Sequence, residues 1–189
     1  AEGFLDGGPL ARTDGRHPEA QRSWDAAGTD LTRGAPVVVV VDGRTASSAE
    51  IVAAILSDRG RAATVGSATM GKGLIQIVVP LPDGGELLLS WSQVLAPSGW
   101  PVQGLGVIPA LCTGLGADAT EHALARLTAG DAPMASVLAR QRSARSPVPA
   151  SEVAALRGAC PPVEGRDTDI AAAATLLSRP AAYETARPR

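Results

Sequence analysis

Apolar residues in the first half of the chain follow two different periods. Residues 36–42 (PVVVVVD) form a short, continuous, β-branched run between turn residues, which is typical of a central strand covered on both faces. The stretch 49–58 (AEIVAAILSD) then spaces its apolar residues as a helix does, and residues 62–66 (AATVG) predict another strand. Strand, helix and strand together predict a βαβ unit with a right-handed crossover.

The segment after the βαβ unit has a clear strand pattern, whereas the segment before it has little periodicity. Apolar and polar residues alternate in 74–81 and 86–94, and the turn sequence at 82–85 predicts that these two strands form a hairpin. Residues 6–34 are rich in Gly, Asp, Arg and Pro, so we expect mostly loop there, with one short strand-like stretch at 9–12.

From about residue 113 onward the sequence becomes alanine-rich and helical in period. Helices are predicted at 118–128, 133–144, 151–158 and 168–178, the last of them capped by the sequence Asp167-Thr168-Asp169. We expect a frayed end at 180–189. The change of pattern predicts a partial α/β core in residues 1–111 and a helical appendage in residues 112–189.

Composition excludes several classes of function. The chain has 189 residues, a formal net charge of −2 and 3% aromatic residues. Without a basic face or aromatic platforms, nucleic-acid binding is not expected. The longest apolar run is far shorter than the roughly 20 residues of a membrane helix, so we expect no membrane span in this chain. No cofactor or metal site is predicted, because two cysteines are too few for zinc.

Cys112 and Cys160 are the only cysteines. Such a pair suits one disulfide in an exported protein, or two buried thiols in a protein of a reducing compartment. A bridge would tie the helical appendage to the core, and it requires the two Cα atoms to lie within about 4.4 to 6.8 Å.

Lys72 is the only lysine beside sixteen arginines, and it lies in the glycine loop Met70-Gly71-Lys72-Gly73. Arginine remains protonated at any working pH, whereas a lysine in an apolar site can lose its proton and act as a base. That role needs a dry pocket, since the lysine pKa must fall from about 10.4 toward 7. The alternative is sequence drift in an arginine-rich protein.

Ser47 lies at the predicted turn between the buried strand and its helix. In α/β folds this position presents a nucleophile above the strand ends, beside helix N–H groups that favour negative charge. The alternative is an ordinary helix cap. His17 lies in an irregular loop and His122 in a helix, so a Ser-His-Asp triad is not expected. The second strand of the βαβ unit would bring Lys72 beside Ser47.

Residues 36–109 contain several motifs in order: D-x-x-[ST]-A-S-x-x-E-I, G-[KR]-[AG]-x-x-V-G, G-K-G-x-x-Q and A-P-S-G-x-x-x-Q-G-x-G. This segment resembles the carboxyl-terminal processing, or tail-specific, serine protease family. The resemblance implies a ClpP/crotonase-like βα-spiral protease core. It also implies Ser47 as nucleophile, Lys72 as general base, Gln76 as the residue that orients the lysine, and the Ser48 N–H as one oxyanion donor.

Three acidic or amide positions have simpler alternatives. Gln76 by itself fits an outward-facing strand residue. The resemblance gives Asp58 a supporting role, but we interpret it as a structural carboxylate at a helix end, paired with Arg59 or Arg61. Glu50 fits a partner of the helix turn better than a catalytic acid.

The resemblance also implies that part of the protease lies before the first residue of this chain. The family's segment that donates the second oxyanion N–H precedes a helix ending like AEGFL, so we expect it before Ala1, and any PDZ domain earlier still. The chain is then an incomplete protease, inactive by itself, that acts on protein or peptide substrates with the upstream part of the same protein. We expect export to a periplasmic or extracellular location.

Two other functions remain open from the sequence. A catalytically silent relative on this fold would bind small ligands or peptides, and would be favoured if Ser47 or Lys72 were missing. A crotonase-type acyl-CoA enzyme would need glycine-rich oxyanion loops and usually a catalytic acid, neither of which has a place in this sequence.

Overall fold

The computed structural model describes residues 1–187. Within that range seven strands form two sheets, and the strands are β1 (Gly8–Asp14), β2 (Arg22–Ala26), β3 (Val38–Val41), β4 (Ala63–Gly66), β5 (Leu74–Pro80), β6 (Glu86–Leu95) and β7 (Leu111–Cys112). One sheet is antiparallel with the order β2-β1-β6-β5, and the other is parallel with the order β3-β4-β7.

One α-helix of the same range connects two strands of the parallel sheet, and five follow its last strand. They are α1 (Ser48–Asp58), α2 (Ala117–Thr128), α3 (Ala135–Ser143), α4 (Ala150–Gly158), α5 (Asp167–Leu177) and α6 (Pro180–Ala186). The fold is thus mixed α/β. The predicted βαβ unit is confirmed as β3-α1-β4, and the predicted hairpin as β5-β6.

The strand at 38–41 is not the central strand that its apolar run predicts. Strand β4 occupies the centre of the parallel sheet, and all of its residues are buried. Among the described residues β3 pairs with β4 alone, and Val40 is 38% exposed. A run of valines indicates a strand, but it does not reveal which neighbours the strand has.

The prediction of mostly loop in residues 6–34 is also wrong in part. Strand β1 pairs antiparallel with both β2 and β6, so this region builds half of the antiparallel sheet. Four of the five residues of β2 are exposed. Because β2 buries so little, its sequence Arg22–Ala26 has no apolar alternation by which it could be recognised.

The four predicted helices of the appendage are present, but the end of the chain is not frayed up to residue 186. Residues Pro180–Ala186 form α6, in which Ala182 and Tyr183 are buried. The Tyr183 hydroxyl accepts a hydrogen bond from the Val37 N–H at 2.9 Å. Packing on the sheet stabilises a helix that is too short to be stable alone. Residues 188–189 of the predicted frayed end lie outside the described range.

Helices of the appendage share their core with the sheet residues. One apolar cluster combines Val65 and Leu111 with Leu127 and Leu176, all of them fully buried. A second cluster includes Leu156 of α4 together with residues of α1 and the 94–108 segment. Residues 112–187 therefore complete the hydrophobic core of the parallel sheet.

A disulfide joins Cys112 at the end of β7 to Cys160 just after α4. The Cα atoms are 5.7 Å apart, within the range that a bridge requires. Of the two alternatives that the sequence leaves open, the disulfide is the one present in the structure, and it fastens the segment after α4 to the carboxyl end of the sheet.

We expect reduction of this disulfide to lower the free energy of unfolding by about 4 kcal/mol at most, because the bridge closes a loop with a sequence separation of 48. Urea titrations of the oxidised and reduced protein measure the difference. The chain has no other cysteine that a reductant could affect. Equal unfolding midpoints in the two states would contradict the prediction, and Cys112→Ala with Cys160→Ala should reproduce the reduced state.

Candidate active site

The turn between β3 and α1 is held by the carboxylate of Asp42. Its Oδ1 accepts hydrogen bonds from the N–H and the hydroxyl of Thr45, both at 2.8 Å. Its Oδ2 accepts one from the Gly165 N–H at 2.9 Å. Burial works to raise the pKa of Asp42, but the hydrogen bonds from Thr45 and Gly165 bring it below its ordinary value. The charged carboxylate therefore fixes the turn that leads into Ser47.

Ser47 caps α1 in a backbone conformation that is rare for a residue with a side chain. Its φ is 57° and its ψ is −123°. Arg33 is the only other non-glycine residue with positive φ in residues 1–187. Strained residues of this kind persist only where their surroundings enforce them, and they are frequent at active sites. Ser47 is exposed, so a ligand can reach its hydroxyl from solvent.

The Ser48 N–H belongs to the first residue of α1, where a helix supplies no internal acceptor. Within residues 1–187 this N–H makes no hydrogen bond. It lies at the positive end of the helix dipole. The group is therefore free to donate to a negatively charged atom placed beside Ser47.

Lys72 lies in a glycine loop that packs closely on residues 103–104. The Gly73 N–H donates to Oε1 of Gln103 at 2.9 Å, and the Gly104 N–H donates to the Gly71 carbonyl at 2.9 Å. A Cβ on Gly73 would lie 2.4 Å from the Gln103 nitrogen, and Gly71 has a φ of 82°. The close approach at Gly73 and the positive φ of Gly71 each require a glycine, so Lys72 has a glycine on either side.

The Glu50 side chain joins the Ser47 turn to the Lys72 loop. It is fully buried. Within residues 1–187 its carboxylate accepts hydrogen bonds from the Thr69 hydroxyl and from the N–H groups of Ser47 at 2.9 Å, Gly71 at 2.6 Å and Lys72 at 2.7 Å. Ser47 and Lys72 bind the same oxygen, Oε2, so their main-chain nitrogens are no farther apart than the sum of those two distances. The structure thus brings the two backbones together.

The side chains of Lys72 and Gln76 form no hydrogen bond with each other within residues 1–187. Both residues are exposed, and neither side chain has a hydrogen bond or ion pair within the described residues. The dry pocket predicted around Lys72 is not formed by residues 1–187, because the face of the β5-β6 hairpin beside it, with Leu74 and Val78, is uncovered.

The predicted pairing of Asp58 with Arg59 or Arg61 is wrong. Asp58 forms an ion pair with Arg142 of α3 at 3.2 Å, and its own side chain is 1% exposed. It also accepts hydrogen bonds from the N–H and hydroxyl of Ser98, at 2.6 and 2.9 Å. Arg59 donates instead to the carbonyls of Gly7 and Pro9, and Arg61 forms an ion pair with Asp30 at 3.0 Å. The interpretation of Asp58 as structural agrees with these contacts.

Thr69 and Gln103 were not identified from the sequence as residues of this site. The Thr69 hydroxyl donates to Glu50 and accepts from the Val107 N–H at 2.7 Å. Gln103 fixes the Lys72 loop through the Gly73 N–H. The Q-G-x-G motif signals Gln103, whereas nothing in the local sequence distinguishes Thr69 from other loop hydroxyls.

The described part of the chain contains neither a candidate metal cluster nor a helix that could span a membrane. Residues 1–187 contain no cluster of three or more His, Cys, Asp or Glu side chains able to hold a metal ion. None of the helices in that range is long and apolar enough to cross a membrane.

Comparison with known proteins agrees with this fold. Residues 1–111 match Peptidase family S41. The chain is 38% identical over 108 residues to a carboxy-terminal-processing protease of Bartonella bacilliformis, covering 57% of this chain and 25% of that protein. It is 41% identical over 107 residues to the chloroplastic carboxyl-terminal-processing peptidase 1 of Arabidopsis thaliana, covering 56% of this chain and 22% of that protein.

A solved structure shows the same similarity. The photosystem II D1 C-terminal processing protease superposes with a TM-score of 0.52 and 33% sequence identity, over 57% of this chain and 28% of that chain. The chain belongs to Peptidase family S41. It spans about a quarter of the length of the curated relatives that it matches.

Proposed function

We propose that this chain carries the nucleophile and the base of a serine endopeptidase that cleaves protein substrates. Ser47 is the nucleophile, Lys72 is the general base, and Gln76 orients the lysine. The observation that supports this most is the buried Glu50 carboxylate, which binds the N–H groups of Ser47 and Lys72 at one oxygen. The similarity to carboxyl-terminal-processing proteases supports cleavage near an unstructured carboxyl end of the substrate.

Acylation proceeds with each proton assigned to a group. The Ser47 Oγ attacks the carbonyl carbon of the scissile peptide bond while Nζ of Lys72 accepts the hydroxyl proton. The Ser48 N–H donates to the oxyanion of the tetrahedral intermediate. The C–N bond then breaks as the Lys72 ammonium returns the proton to the leaving amine, which leaves an ester on Ser47.

Deacylation repeats these roles with water. Neutral Lys72 accepts a proton from a water molecule that attacks the ester carbonyl, and the second intermediate again places its oxyanion at the Ser48 N–H. Collapse of this intermediate breaks the C–O bond and returns the proton to the Ser47 Oγ. The products are a new carboxyl end, a new amino end and the free enzyme.

Lys72 must be neutral to act in this way. Burial disfavours the charged form of an amine, so a neutral lysine requires a site that excludes water. Because Lys72 is exposed within residues 1–187, we assign its desolvation to bound substrate and to other parts of the same protein. The same parts supply the second oxyanion N–H, and a PDZ domain would recognise the substrate end.

The remaining assignments follow from this scheme. Residues 1–111 are a partial catalytic core, and residues 112–189 are a helical appendage, of which residues 112–187 complete the packing of that core. Asp58 supports the site through Ser98, without contact to substrate. A periplasmic or extracellular location fits the disulfide, since structural disulfides persist in oxidising compartments.

The proposal is tested with a folded protein substrate prepared with and without an unstructured apolar carboxyl-terminal tail. We expect the full-length protein to cleave the tailed substrate faster than the substrate without the tail. The products are identified by mass spectrometry. Residues 1–189 alone should be slower by about 10² to 10³-fold or more, because one oxyanion donor is lacking. Binding of the tail without any cleavage by the full-length protein would favour the silent peptide-binding module instead.

A further inference from the structure

Arg157 reaches from the appendage into the main chain around the candidate active site. It lies in α4, beyond the residues that match the peptidase family. Its Nη1 donates to the Thr69 carbonyl at 2.7 Å and to the Leu105 carbonyl at 2.9 Å. One guanidinium therefore joins the loop that precedes Lys72 to the segment that packs on that loop.

The position of this guanidinium is closely defined by its neighbours. A Cβ on Gly106 would lie 2.9 Å from Nη1 of Arg157 and 2.7 Å from the Thr69 carbonyl oxygen. The Arg157 side chain can therefore take this position only because residue 106 is glycine. Helix α4 is held in place by the buried Leu156 and by the Cys160 disulfide. The Cys160 carbonyl, two residues after the end of α4, also accepts a hydrogen bond from the Ala68 N–H at 3.3 Å, so the segment that follows α4 contacts the same loop.

Thr69 passes this contact on to the candidate catalytic groups. Thr69 is fully buried, and its hydroxyl donates to Glu50 while its carbonyl binds Arg157. Glu50 in turn binds the N–H groups of Ser47 and Lys72. Burial lowers the pKa of Arg157 and the charge of Glu50 raises it, so the two charges interact across Thr69.

We propose that Arg157 is a positioning residue for the Ser-Lys reaction: through Thr69 and Glu50 it holds the Lys72 loop against the Ser47 turn. This inference rests on the proposed function. It makes the helical appendage a part of the catalytic arrangement, because α4 supplies a cation that fixes the base without touching the substrate.

The kinetic test uses the full-length protein with Arg157→Gln. We expect kcat to fall about 10- to 100-fold with KM nearly unchanged, since small displacements of a catalytic group have effects of this size. Arg157→Lys keeps a cation that can donate to the Thr69 carbonyl and should recover part of kcat. Arg140→Gln is the matched control, because Arg140 joins α3 to Glu152 of α4 on the surface and does not contact the loop.

A second measurement does not depend on turnover. Lys72 is the only lysine, so labelling residues 1–189 with ¹⁵N-lysine gives a single main-chain amide signal, from the N–H that binds Glu50. We expect Arg157→Gln to shift this signal and to speed its hydrogen exchange about 10-fold or more, a change that corresponds to loss of one hydrogen-bond constraint. Arg140→Gln should leave both unchanged.

The outcomes separate the two proposals. Absence of hydrolysis by the wild-type full-length protein would reject the proposed function, and the amide signal would still test the role of Arg157. An Arg157→Gln variant with wild-type kcat, or with an unchanged Lys72 amide signal, would overturn the inference. So would equal effects of Arg157→Gln and Arg140→Gln, because the loss would then reflect the general stability of α4.

Discussion

Ser47→Ala and Lys72→Ala are each expected to lower kcat/KM for peptide hydrolysis by the full-length protein by about 10⁴-fold or more. The variant that carries both changes should be no worse than either single variant, because groups that act as one unit lose activity non-additively. Progress curves with an internally quenched peptide measure all three variants against the wild type.

Lys72→Arg tests whether residue 72 acts as a base or only supplies a positive charge. It keeps the positive charge and the loop, but a guanidinium cannot accept the Ser47 proton at any working pH. We therefore expect it to be as inactive as Lys72→Ala. Wild-type folding of the variant, checked by circular dichroism, is the control, and an active Lys72→Arg protein would disprove the assignment of Lys72 as the base.

Glu50→Ala is expected to produce the second large effect, a loss of about 3 to 5 kcal/mol in the free energy of unfolding. The change removes a fully buried carboxylate and leaves the N–H groups of Ser47, Gly71 and Lys72 without an acceptor. Each buried unsatisfied donor costs free energy. Urea titration of residues 1–189 measures the effect.

Glu121→Ala is the matched control, because Glu121 is an exposed residue of a helix, and such substitutions change stability by about 0.5 kcal/mol at most. If Glu50→Ala were as mild as Glu121→Ala, the Glu50 carboxylate would not hold the two segments together. The physical basis for placing Ser47 beside Lys72 would then be lost.

Local patterns were sufficient to predict the elements that carry the candidate site. The valine run, the spacing of apolar residues in α1 and the alternation in β5 and β6 each reflect burial within one element, so the order strand, helix, strand and hairpin could be predicted. The lone lysine and the ordered motifs indicated which residues to examine. The disulfide was one of two alternatives that the sequence left open, and the structure decides between them.

Contacts between distant segments could not be predicted in the same way. Strand β2 has no periodicity because it is exposed, and β3 does not reveal that β4 takes the central place. Trp100 of the A-P-S-G-W segment donates to Asp58 at 3.2 Å, and Arg142 pairs with the same carboxylate from a helix far along the chain. Such pairings depend on how whole elements pack, and single-sequence patterns carry no information about that.

Glu50 and Arg157 show most clearly that contacts between distant segments could not be predicted from the sequence. Glu50 fits an ordinary helix-turn carboxylate in the sequence, and it does bind the Ser47 N–H as one; its bonds to Thr69, Gly71 and Lys72 exist only because β4 returns the chain beside α1. Arg157 is one of sixteen arginines, and its neighbours were not predictable before α4 was placed on the core.

The most direct measurement of the central claim is covalent trapping of the nucleophile. The full-length protein is incubated with a peptidyl fluorophosphonate, which reacts with activated serine hydroxyls, and the modified residue is located by peptide mapping. We expect a single adduct on the Ser47 Oγ, absent from Ser47→Ala and formed far more slowly in Lys72→Ala. An adduct on Thr45 or Ser48, or labelling of Lys72→Ala at the wild-type rate, would contradict this expectation.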